Sequence, residues 1–177
     1  MTKLNGGRFF KFLFLVVVAV FFIINAADRQ GYHFFDNVDL VIHEAGHVFF
    51  AFFGEFVAVA GGTIMQLLVP LVFAGYFFLR NDRYAAGIVL MWLGQSFVNV
   101  ARYAADAARM ELPLLGGGTH DWNYMLIRTN LLDKAQAVSE VIYYGGVMFI
   151  IVGIILGTLS FAKGNIKPSG SIDLTNV

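Results

Sequence analysis

Five runs of this chain, 9–27, 36–58, 63–79, 84–105 and 138–161, are predominantly apolar, and charge is concentrated in the second, which holds Asp36, Asp39, Glu44 and Glu55. At about 1.5 Å of rise per helical residue, each is long enough to cross or nearly cross a hydrocarbon layer of about 30 Å. The pattern predicts an all-α chain, a polytopic membrane bundle of about five transmembrane helices. Composition agrees: 58% of residues are hydrophobic and 14% charged, outside the range of an ordinary soluble globule. One membrane domain is expected over 1–162, with a polar loop at about 106–135, followed by a poorly ordered soluble tail over 163–177. The first run follows Lys3, Arg8 and Lys11 and ends in Ile24-Asn25-Ala26-Ala27, a poor cleavage site. An uncleaved anchor is expected there, not a signal peptide.

Charge and cysteine content narrow the possible functions. Twelve basic and twelve acidic residues cancel, and the basic ones are scattered, which speaks against a nucleic-acid partner or a polybasic lipid-binding patch. The expected partners are the surrounding lipid and a membrane-protein or peptide substrate. There is no cysteine, so thiolate chemistry, disulfides and cysteine-held zinc are all excluded. Any metal must be held by His, Asp or Glu.

The second run carries His43-Glu44-Ala45-Gly46-His47, an H-E-x-x-H pattern. On a helix, positions i and i+4 share a face about 6 Å apart, so His43 and His47 can close on one divalent ion, zinc by ligand type, with Glu44 beside it. Asp39 lies one further step of four back and is expected to orient a ligand histidine. A catalytic zinc takes three protein ligands and leaves a place for water. The expected third ligand is His120, which follows the glycines at 116–118, helped by its neighbour Asp121; Asp121 itself and then Asp106 are the alternatives, and His33 reads as an interfacial residue. Glu44 is the expected general base and acid, with a buried partnership to Arg102 as the alternative. Gln66 is expected to serve the carbonyl freed by Pro70, and Gln95 and Asn99 to tie helices together. Thr119 or Asp121 should cap a short interfacial helix beyond the loop.

An H-E-A-G-H stretch within a membrane helix resembles the site-2 protease family of intramembrane zinc metalloproteases. The resemblance covers the second run. It implies that His43 and His47 bind zinc, that Glu44 is the catalytic base, and that a peptide bond in or next to the bilayer is hydrolysed. The family takes its third ligand from an aspartate in an Asn-Pro or Leu-Asp-Gly motif; here Leu132-Asp133-Lys134 lacks the glycine. The stretch 118–124 is similar to that of small bacterial membrane proteins. A zinc-dependent hydrolase of a lipid amide or ester would use the same groups, and a non-catalytic metal-binding membrane protein would use the histidines alone.

With five crossings, the larger share of Lys and Arg falls on the N-terminal side, which places the N-terminus in the cytoplasm and the protein in the cell membrane. Five crossings also set a geometric problem. If the second, third and fourth runs all cross, His120 emerges on the side opposite the entry of the second run. Either the loop 114–122 must dip back, or the Pro70 run must turn back without crossing.

Overall fold

The computed structural model describes residues 6–113 and 119–163, and it is all-α, with no strand among the described residues. Six helices follow in order: α1 Gly6–Ala27, α2 Phe34–Phe50, α3 Glu55–Leu79, α4 Arg83–Ala105, α5 Asp121–Arg128 and α6 Ala135–Lys163. Four of them are long and apolar enough to cross a membrane: α1, α3, α4 with its continuation to Ala108, and α6. The chain has the build of a multi-pass membrane protein. The glycine run 116–118 and nearly all of the expected tail, from 164 onward, lie outside the described residues.

Side-chain contacts place the helix ends. At one end of the bundle, Tyr84 donates to the Lys11 carbonyl (2.6 Å) and Arg8 to that of Phe161 (3.2 Å), so the starts of α1 and α4 lie beside the end of α6. At the other end, Arg102 in the last turn of α4 donates to the carbonyls of Asp28 and Arg29. There Ser139 of α6 donates to the Ala101 carbonyl. The chain enters and leaves α2 at this second end, although Asp36 itself lies deeper, beside Gln95, ten residues before the end of α4. Asp36, in its first turn, pairs with Arg102 (3.0 Å), while Glu55, just past its C-terminus, faces Arg128 of α5 (3.5 Å). Between them α2 runs obliquely, with Asp39 reaching Ser96 (3.1 Å), nine residues from the end of α4 and so about 13 Å down. Four helices are thus long and apolar enough to span where five were expected, and α2, 17 residues long, has the turns before and after it on one side of the bundle.

Two kinds of glycine explain the difference from expectation. The pair Gly61-Gly62, just beyond the second apolar run, lies inside α3, where the missing side chains let α2 approach closely. A Cβ on Gly61 would strike the Phe50 side chain and the Gly46 carbonyl, and one on Gly62 would strike the His43 ring. The break falls instead at Gly54, whose φ of 91° is a conformation that side-chain-bearing residues rarely adopt. The same close packing joins α4 to α6. A Cβ on Gly94 would lie 2.5 Å from the Gly146 carbonyl oxygen, and one on Gly153 would lie 2.5 Å from that of Gly87. Small residues at seven-residue spacing are what allow apolar helices to pack backbone to backbone in lipid.

The topology has a direct test, because the chain lacks cysteine. Gln30→Cys, Glu55→Cys and Lys134→Cys should all react with a membrane-impermeant maleimide from one side, and Arg80→Cys only from the other. Labelling of positions 30 and 55 from opposite sides would show that α2 crosses.

Candidate metal centre

Helix α2 presents its polar residues to the bundle and its apolar ones outward: Asp36, Asp39, His43 and Gly46 are buried, whereas Val41 and Val48 are more than 70% exposed. A carboxylate or imidazole in a lipid setting is retained only when it is paired. Asp36 accepts from Gln95 (2.7 Å), Arg102 (3.0 Å) and the His33 N–H (2.7 Å). Asp39 accepts from the Trp92 indole and the Ser96 hydroxyl, each at 3.1 Å. Asp39 thus fastens α2 to α4 and does not take the expected part of orienting a histidine.

That part is played by Gln66 and a backbone carbonyl. His43 Nδ1 meets Gln66 Oε1 at 3.1 Å, and His47 Nδ1 meets the Ala58 carbonyl oxygen at 2.9 Å. Gln66 is oriented in turn by donating from Nε2 to Asn99 Oδ1 (2.8 Å) and the Ser96 carbonyl (3.5 Å), so its oxygen is the atom that faces His43. Both acceptors are oxygens, so each histidine carries its proton on Nδ1 and is left with Nε2 as the free ring atom. The two Nε2 atoms converge on one oxygen, Asp121 Oδ2, at 2.8 and 3.2 Å. All three candidate ligand atoms lie within 4.8 Å of one another.

Of the other residues expected as ligands, His120 and Asp106 are brought close to each other and lie outside this cluster. His120 Nδ1 accepts from the Asn123 N–H (3.2 Å), capping α5, and its Nε2 meets Asp106 Oδ2 (3.2 Å). With one nitrogen accepting, the other must carry the proton, so His120 has no lone pair left for an ion. Asp106 also accepts from the N–H groups of Glu111 and Leu112, both at 3.0 Å, and so anchors the loop leading away from α4. The cap of α5 is thus His120, where Thr119 or Asp121 was expected. This leaves Asp121 as the first residue of the helix, its side chain turned into the bundle. His33 is half-buried beside Asp28 (3.4 Å). Asp133 is exposed in the turn before α6.

Glu44 is exposed and makes no ion pair among the described residues; Arg102, its suggested partner, is engaged by Asp36. It lines a cavity of about 380 Å³ together with the three clustered side chains, Asn99 and Tyr103, with apolar walls from Leu40, Val59, Leu112 and Pro113. That volume lies in the range of small-ligand pockets. Three contributors were missed in the sequence. Gln66, a lone amide in an apolar run, was the visible signal but was assigned to Pro70. The Ala58 carbonyl has no side-chain signature at all, and Tyr103 was one tyrosine among seven. No family model, curated protein or solved structure matches the chain.

Proposed function

We propose that this protein is an intramembrane zinc metallopeptidase, similar to the site-2 protease family, that hydrolyses a peptide bond in or next to the bilayer. His43, His47 and Asp121 are its ligand set and Glu44 its general base. The observation that carries the reading is a convergence: with Nδ1 of each histidine held by an oxygen, both Nε2 atoms meet one carboxylate oxygen of Asp121. Without an ion, those two contacts need two protons and the carboxyl oxygen can carry only one, so at least one ring must be cationic, and burying charge is costly. One divalent cation supplies the same charge with tetrahedral N/N/O ligands, and each histidine has the oxygen partner on its other nitrogen that ligand histidines usually have. Zinc would supply Lewis acidity and lower the pKa of water toward about 7.

The remaining roles fall to the chain itself. Glu44, one residue from His43 and open to the cavity, accepts the proton of the attacking water and returns it to the leaving amine. The apolar walls receive the flanking side chains of the substrate. The space beside the cluster favours a catalytic role, since a purely structural ion needs no adjoining cavity. Hydrolysis of a lipid amide or ester would use the same residues and is separated by substrate alone.

The site lies toward one end of the bundle, and we place that end on the non-cytoplasmic face of the cell membrane. Arg8, Lys11, Arg80 and Arg83 gather at the opposite end, whereas at the site end Arg29, Arg102 and Arg128 are each paired with an acid and only Arg109 and Lys134 are not, among the described residues. This keeps the expected cytoplasmic N-terminus but reassigns Arg102, Arg109, Arg128 and Lys134 to the other side, because α2 does not cross.

The test is metal analysis of purified wild-type protein, followed by incubation with transmembrane peptides and lipid amides. About one zinc per chain and cleavage of peptides are expected. Cleavage of lipids alone would replace the substrate class, and absence of bound metal after zinc loading would overturn the reading.

A further inference from the structure

Acyl transfer needs a group that meets the negative charge developing on the carbonyl oxygen, and none of the four residues assigned above supplies a neutral donor for it. Tyr103 does. It stands in the last turn of α4, its ring 5.9 Å from that of His43 and 4.3 Å from that of His120. Its hydroxyl oxygen accepts the N–H of Asp121 at 3.1 Å, which places the oxygen one residue's backbone away from the candidate ligand carboxylate. A phenol hydroxyl both accepts and donates, and here accepting is taken up by Asp121 N–H while no acceptor for its own proton is found among the described residues. The side chain lines the same cavity as His43, His47, Glu44 and Asp121.

We infer that Tyr103 is a further catalytic residue, the oxyanion donor of the hydrolysis proposed above, on which this role rests. As the water oxygen bonds to the carbonyl carbon, the π pair moves onto the carbonyl oxygen, and the Tyr103 O–H donates a hydrogen bond to it while keeping its own proton. The proton of the water passes to Glu44 and then to the amine nitrogen as the C–N bond breaks. The Asp121 N–H bond fixes the phenol before substrate arrives, so the donor needs no rearrangement in the transition state.

The experiment compares wild type with Tyr103→Phe in the full-length, zinc-loaded protein. Phenylalanine keeps the ring packing and removes only the hydroxyl. Expected are unchanged zinc stoichiometry and affinity, a KM within a few-fold of wild type, and a kcat lower by roughly 100-fold or more, as for loss of one oxyanion donor. A phosphinic peptide, which mimics the tetrahedral anion, should bind at least about 10-fold more weakly to the variant, a readout that does not need turnover. Equal loss of zinc affinity would show that Tyr103 merely positions Asp121 and would overturn the inference. So would unchanged kcat and unchanged phosphinate affinity. Wild type that binds zinc and the phosphinate but cleaves no peptide would instead count against the peptidase reading, with the phosphinate comparison still deciding the role of Tyr103.

Discussion

Asp121→Ala is expected to leave the protein without stably bound metal, although the substituted residue lies 74 positions beyond His47, the last residue of the H-E-x-x-H pattern. The carboxylate is the shared partner of both histidine Nε2 atoms, at 2.8 and 3.2 Å, and no other acid reaches them among the described residues. Losing a mere supporting partner costs roughly 10- to 100-fold in metal affinity, so loss of a ligand should exceed that. His120→Ala is the matched control. It removes the cap of α5 and one of three partners of Asp106, with an expected cost of about 1–2 kcal/mol in stability, but zinc affinity should stay within about 10-fold. Chelator competition on both variants, with thermal unfolding alongside, separates the two effects. Zinc lost from His120→Ala and kept by Asp121→Ala would reverse the assignment.

The second large effect is catalytic. Glu44→Gln should lower turnover by about a thousandfold or more, within the range for loss of a general base, with metal content at the wild-type level. Stability should hardly move, within about 0.5 kcal/mol, because Glu44 is exposed and unpaired among the described residues and the amide is nearly isosteric. Metal content and kcat measured on one preparation decide it: an empty site would make Glu44 a ligand, and an undiminished kcat would remove it from the chemistry.

The apolar runs foretold the helical class because burying unpaired backbone in lipid leaves little choice, and four of the five runs became long helices. H-E-x-x-H placed two side chains on one face because helical spacing alone does so. What failed to show in the sequence was set by contacts between segments. Gly61-Gly62 and Gly54 are the same residue type in two roles, close approach and chain reversal. Only the packing of Gly46 and His43 against the former, and the positive φ of the latter, tell them apart. Likewise His120 holds the stronger claim as ligand over its neighbour Asp121 until Asn123 and Asp106 take up the two nitrogens of the histidine. The apparent misplacement of the loop on the wrong side of the membrane had the same origin. Neither suggested repair is needed, since α2 returns to the face it started from.

A helix that starts and finishes at one surface is not stretched between two. Thickening or thinning of the bilayer is met by tilting of the elements that cross it, here α1, α3, α4 and α6. Helix α2 instead is tied to one end of the bundle, by the Asp28-Arg29 turn bonded to Arg102 before it and by the Gly54 turn, with Glu55 facing Arg128, after it. His43 faces Gln66, which bonds Asn99, six residues from the end of α4, and so sits about 9 Å inward from that surface. The depth is counted from one leaflet and not from the midplane. Under the proposed chemistry the protein is a ruler: it would cut at a constant distance from one water boundary, in thin membranes and thick ones alike.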